Sequence, residues 1–327
     1  MNEVKKTAVL ALCVLSSVLV SCASVKSAAL NSASTALSGA DKKGIPVKKD
    51  ISDSDSMLAL TGESDVTLVS DFFPTALELY EIMHRTNPNH LGLTAMTGSL
   101  NVMYASAFIQ TPAEELTNAE FDRQQAEYER AKLHYLRGRG YCLDALDGRH
   151  KGFKAAVLGT DPSAADTAIA ALDKKDVNTA YWACAGWLGA FSLDPLNPDM
   201  LGSLHSPAAI LEKVAALDPD YGGGAAWDIL CNFYVSAPAD FGGNYERGIY
   251  CYEQALRASG GKTPGPYVTY AESVCIPSGD EAGFVEALNK ALAVNPDDNP
   301  SSRLMTTISQ RRARRLLEHK SDYFLHW

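Results

Sequence analysis

Three clusters of side chains and one Gly-rich turn in this 327-residue sequence carry groups able to bind a ligand. Tyr267-Val268-Thr269-Tyr270-Ala271-Glu272 sets two phenols on one helical face with a carboxylate just beyond, a combination suited to a cavity wall. Arg137-Gly138-Arg139-Gly140 and Gln310-Arg311-Arg312-Ala313-Arg314-Arg315 concentrate guanidinium groups, whose planar forks pair with carboxylates and phosphates. The plainer alternatives are a Tyr face that is core and Arg stems that cover apolar neighbours on a solvated helix. Ligand or pore candidates are therefore Tyr267, Tyr270, Glu272, Arg137 and Arg139, and partner or packing candidates are Arg311, Arg312 and Arg315. Asp218-Pro219-Asp220-Tyr221-Gly222-Gly223-Gly224 precedes a helix and either exposes N–H groups to an anion or simply joins two helices.

Catalytic constellations are missing. No His-Glu-x-x-His spacing, no Cys-x-x-Cys pair and no Gly-x-Ser-x-Gly elbow is present. Gly261-Lys262-Thr263 ends like a phosphate loop, but Arg257 stands where the first Gly is required, and Gly138-Arg139-Gly140 lacks a third Gly. The sequence predicts a protein that is not an enzyme and holds neither cofactor nor metal.

The elements that position these groups begin after a leader. Lys5 and Lys6 precede an apolar run, Thr7 to Val20, too short to span a bilayer but suited to a signal peptide, which is assigned to residues 1–21. Leu19-Val20-Ser21-Cys22 resembles the bacterial lipoprotein cleavage box, which makes Cys22 a lipidation site and the protein a membrane-anchored, exported one; an ordinary secretory signal is the alternative. Removing Lys5, Lys6 and Glu3 leaves 27 basic and 38 acidic side chains, a net charge of −11 that disfavours nucleic acid. Cys142, Cys184, Cys231, Cys251 and Cys275 remain, an odd set expected in the core, with a Cys231–Cys251 bond left open.

Residues 22–64 are rich in Ser, Ala, Lys and Asp and lack aromatics, which predicts a flexible tether, with a short helix over Ala28 to Leu37 as the alternative. An α-helical domain follows over 65–327. Three helices in it should end at Asn87-Pro88, Asp218-Pro219 and Asn295-Pro296, because Pro stops a helix and Asn or Asp before it favours a turn. Trp227-x-x-Leu230-Cys231-x-x-Tyr234 with Gly248-x-x-x-Tyr252-x-x-Ala255 fits a tetratricopeptide helix pair, and Gly98 and Gly138 fall at close-contact places. The class is all-α, with about four degenerate repeats and insertions.

The cleavage box, Tyr135-Leu136-Arg137-Gly138-Arg139-Gly140-Tyr141, the Asp218 to Gly224 run, Gly265-Pro266-Tyr267-Val268-Thr269-Tyr270-Ala271-Glu272 and the Gln310 to Arg315 run occur in order along the chain. Together they resemble the TatT family, tetratricopeptide-like lipoproteins associated with TRAP transporters. The resemblance implies a periplasmic, lipid-tethered helical protein that forms a homotrimer and docks the transporter's periplasmic solute-binding protein. It also implies a hydrophobic cavity or pore for an apolar or lipid-like small molecule. A stand-alone lipid carrier and a pure interaction scaffold are the competing readings.

Overall fold

The computed structural model describes residues 26–47 and 58–324; the leader and Cys22 lie outside them. Apart from one isolated antiparallel bridge, Ala40 to Pro46, every regular element among the described residues is helical. Helix α1 spans residues 26–38, and α2 is Leu58–Thr61. The N-terminal body follows with α3 (Val66–Thr86), α4 (Leu91–Tyr104), α5 (Thr111–Ala113) and α6 (Phe121–Arg149). The middle is α7 (Phe153–Leu158), α8 (Pro162–Ala170), α9 (Val177–Leu193), α10 (Pro198–Leu201) and α11 (His205–Leu217). The C-terminal part is α12 (Ala225–Ser236), α13 (Tyr245–Ser259), α14 (Gly265–Tyr270), α15 (Ile276–Ser278), α16 (Glu281–Ala293) and α17 (Arg303–Glu318).

The predicted stops fall where proline chemistry puts them. Helix α3 closes on Asn87, whose N–H reaches back to Met83 and His84, and α11 closes on Asp218, whose N–H reaches Val214. Helix α16 ends just before Asn295-Pro296. Pro74 lies inside α3 and removes one rung without ending it.

The tether expected over 22–64 gives way to the alternative over 26–47. There α1 docks on the α3–α4 junction: Asn87 Nδ2 donates to Asn31 Oδ1 (2.9 Å) and Ser34 Oγ (3.1 Å), and Tyr80 OH donates to the Leu37 carbonyl (2.9 Å). Thr35 Oγ1 and His90 Nε2 lie 3.0 Å apart. Polar partners, not apolar bulk, order this segment, so its lack of aromatics did not predict its state.

Three helices cross at glycines. A Cβ on Gly138 of α6 would lie 2.6 Å from the Gly98 carbonyl of α4, and one on Gly186 of α9 would lie 2.9 Å from the Tyr135 carbonyl of α6. Only hydrogen at these positions lets the backbones approach so closely. Trp187 is buried beside the crossing, and its core continues through Leu143, Leu146, Ile210, Leu211 and Leu230. The same device joins α12 to α13, where a Cβ on Gly248 would overlap Val235 and lie 3.3 Å from the Cys231 carbonyl. All five described cysteines are free and buried, Cys231 and Cys251 included.

Two helices contain a widened turn. Ala105–Gln110 joins α4 to α5 with Thr111 N–H bonded to the Ser106 carbonyl, and Ala271–Cys275 joins α14 to α15 with Ile276 N–H bonded to the Ala271 carbonyl. A proline, Pro112 or Pro277, stands second after each, and its ring would strike a carbonyl four residues back in a regular helix. A π turn relieves that clash.

The chain returns to its start. Leu304 and Ile308 of α17 share a core with Val66, Val69 and Phe73 of α3, and Arg303 Nη1 donates to the Gly62 carbonyl at 2.8 Å. The helices therefore close on themselves instead of running out as an open stack.

Candidate functional site: a charged cleft at the closure

Where the chain closes, α5 with the residues after it and the second π turn face α17 across a cleft of about 330 Å³. Arg312 sits at its centre. Its Nη1 lies 2.9 Å from Glu114 Oε2, and its Nε and Nη2 lie 3.1 and 2.9 Å from Glu272 Oε1. Glu114 caps the C-terminus of α5, which continues the first π turn, and Glu272 stands on the second, so the guanidinium ties both widened helices to α17. Gln110 Nε2 donates to Glu114 Oε1 at 3.0 Å, and Tyr135 OH donates to Gln110 Oε1 at 2.7 Å. Tyr128, Arg315 and Tyr323 complete the wall.

The charges within are unequal in strength. Burial pushes the Glu114 carboxyl up, against the pull of Arg312. Burial also works against the charge on Arg312, but Glu272 and Glu114 together overcome it and hold the guanidinium above its ordinary value. Such a set binds polar groups by charge-assisted hydrogen bonds, not an alkyl chain.

The predicted candidates divide. Glu272, Arg312 and Arg315 meet in this cleft, which joins one ligand candidate to two packing candidates. Arg311 is exposed, one turn before Arg315, and does not line the cleft. Tyr267 and Tyr270 face α13 instead: Tyr270 stacks on Tyr252 with ring centroids 4.5 Å apart, and Tyr267 OH donates to the Gly261 carbonyl at 3.5 Å. Tyr267 also lines a shallow second cleft with Lys262, Lys290 and Asp298.

Arg137 and Arg139 do not form one site. Arg137 is exposed beside Glu81 (3.9 Å), while Arg139 places its guanidinium 5.0 Å from the Trp187 ring centroid. Two residues apart on a helix they diverge by about 200°. The Asp218 to Gly224 run is a joint: Gly222, Gly223 and Gly224 all have positive φ, Gly223 and Gly224 N–H donate to the Asp220 and Tyr221 carbonyls, and Trp227 Nε1 caps the Pro219 carbonyl at 3.0 Å.

Sequence reasoning missed Gln110, Glu114, Tyr128 and Tyr323. The i, i+4 pair Gln110–Glu114 around Pro112 was the available signal. Asp228 of α12 was also missed: its Oδ1 is buried without a hydrogen bond, and burial pushes its carboxyl up to about 6. A raised acid pKa means the folded chain holds the proton more tightly, so Asp228 contributes stability below about pH 3.8 that is lost as pH rises through 6. His134 acts oppositely: burial, with Arg137 and Arg130, lowers it to about 4, so its contribution is lost as pH falls from 6.5 towards 4. Asp228→Asn should therefore raise stability by about 1–2 kcal/mol at pH 8, with no gain below pH 4. Urea titrations of parent and variant across pH 4 to 8 check this, and an equal gain at every pH contradicts it.

Among the described residues no helix is long and apolar enough to cross a membrane, and no cluster of His, Cys, Asp or Glu is arranged to hold a metal ion. The chain matches the family model of the TRAP transporter T-component over residues 62–324. An uncharacterized protein of Treponema pallidum (strain Nichols) is 39% identical over 275 residues, covering 84% of this chain and 85% of that protein. The family model and the all-helical closure cover the same stretch, and the chain belongs to the TRAP transporter T-component family.

Proposed function

We propose that this chain is the periplasmic, lipid-anchored accessory component of a TRAP transporter and that it docks the transporter's solute-binding protein. The family match over residues 62–324 carries the reading. The cleavage box at Cys22 supports export and anchoring. Residue 26, four residues after Cys22, already lies on α1, which is fixed to the α3–α4 junction, and four residues span at most about 14 Å even fully extended. The body is then held against the lipid surface, where a weak docking contact gains from high effective concentration.

Two surfaces divide the ligand role. The charged cleft around Arg312 suits the polar end of a solute or a polar contact from the docked protein. The stacked Tyr252 and Tyr270, with Tyr267 beside them, offer the aromatic surface that an apolar solute requires. The experiment is a titration of the mature chain with a TRAP solute-binding protein of the same organism, read by calorimetry. A complex that weakens about tenfold or more in Arg312→Met supports the cleft as part of the docking face. Absence of any complex at high micromolar concentration overturns the accessory reading.

A further inference from the structure

The donors in the cleft at the closure fall into two groups. Every arm of the Arg312 guanidinium is taken, Nη1 by Glu114 and both Nε and Nη2 by Glu272. One turn further along α17, Arg315 lines the same cleft half-buried, and its guanidinium makes no hydrogen bond or ion pair among the described residues. The hydroxyls of Tyr128 and Tyr323, on the same wall, are likewise without a partner there. Burial raises both phenols and the Arg315 charge acts against it in each, which sets the three groups within electrostatic reach of one another. They are also held in place. Tyr128 stands on α6, and Tyr323, just after the turn Lys320–Asp322, packs its ring against Phe284 with centroids 6.0 Å apart.

A guanidinium has donors and no acceptor, and a phenol beside it adds a further O–H, so the three together call for an anion that the fold does not supply. Glu114 and Glu272 are committed to Arg312, and Glu115 stays exposed at the rim without pairing. The cleft thus holds three acidic side chains against two arginines, which repels a doubly charged phosphate more than a single carboxylate. Magnitude decides what carries that carboxylate. An ion pair left in solvent raises affinity by about fivefold at most, too little for Arg315 to retain a free solute. Covered by a docked protein, the same pair loses its water, and close pairs of that kind change affinity by about tenfold or more.

We propose that Arg315, with the Tyr128 and Tyr323 hydroxyls, forms a socket for an acidic side chain, Asp or Glu, presented by the protein that docks on this face. The inference rests on the docking reading above and names the group that enters the cleft.

Calorimetric titration of the mature chain with a TRAP solute-binding protein of the same organism, at several salt concentrations, tests it. Arg315→Met should weaken the complex about tenfold or more and flatten its salt dependence. Arg315→Lys should recover part of the loss, because it keeps the charge without the fork. Tyr128→Phe and Tyr323→Phe, which remove only a hydroxyl, should each weaken binding about threefold or more. The melting temperature of free Arg315→Met should stay close to the parent's, since the guanidinium has no partner in the free chain. If that variant fails to fold, the two hydroxyl variants decide. A complex whose affinity and salt dependence ignore Arg315→Met overturns the socket and leaves the docking reading standing. Absence of any complex at high micromolar concentration overturns both. Sodium acetate titrated into the chain alone should not saturate at or below about 1 mM; saturation there would mark a site for a free carboxylate and overturn the assignment to a protein side chain.

Discussion

Replacing Gly138 by Leu should destabilise the protein by about 3 kcal/mol or more, one of the two largest single-residue losses expected anywhere in the chain. A Cβ there would lie 2.6 Å from the Gly98 carbonyl and 3.1 Å from the Val102 amide, and both are backbone atoms that cannot rotate aside. Helix α4 would have to move off α6, and α9, which meets α6 through Gly186, would lose its seat as well. Gly140 supplies the control on the same helix. Nothing lies within 4 Å of a Cβ at that position, so Gly140→Ala should stabilise by about 0.5–1 kcal/mol through helix propensity alone. Calorimetric melting of the two variants checks the pair; equal effects would mean that close packing is not what Gly138 provides.

Trp187→Ala should cost about 3–5 kcal/mol. The ring is on α9 and is the largest fully buried side chain among the described residues, so truncation leaves a cavity that the surrounding helices fill only in part. It also removes the face on which the Arg139 guanidinium rests at 5.0 Å. Burial already disfavours that charge, and its Nε has no hydrogen-bond partner. The two losses should therefore couple. In a Trp187→Ala background, Arg139→Met should recover about 1 kcal/mol, whereas in the parent the same change should be neutral or unfavourable. Urea denaturation of the four proteins measures the coupling, and strict additivity would show that the stacked cation and the ring do not interact.

Much of the helical scaffold was legible because its signals are local. Asn-Pro and Asp-Pro after apolar runs ended α3, α11 and α16 where expected, and Gly98, Gly138 and Gly248 marked crossings that the structure contains. Helix α1 was not legible from composition, since its order rests on hydrogen bonds to Asn87 and His90, more than fifty residues away. The site was least legible of all. Arg312 and Glu272 were named for separate reasons, while Glu114 carried only the weak signal of its i, i+4 spacing from Gln110 and meets Arg312 only because the chain closes. Arg137 and Arg139 were grouped by proximity in sequence, although an i, i+2 pair on a helix points to opposite sides.

The closure seen at Arg303 and Gly62 bears on how the protein assembles. An open repeat array gains stability by adding neighbours and can begin folding anywhere along its length. Here the contact between Arg303 and Gly62 spans 241 residues, and Arg312, whose partner Glu272 is 40 residues away, also reaches back to Glu114 across most of the chain. Such contacts repay their chain entropy only after everything between them is in place. Segments on either side should fold first and the ring should lock last, as one cooperative step. The charged cleft would then exist only in the completed molecule, never in a partly folded one.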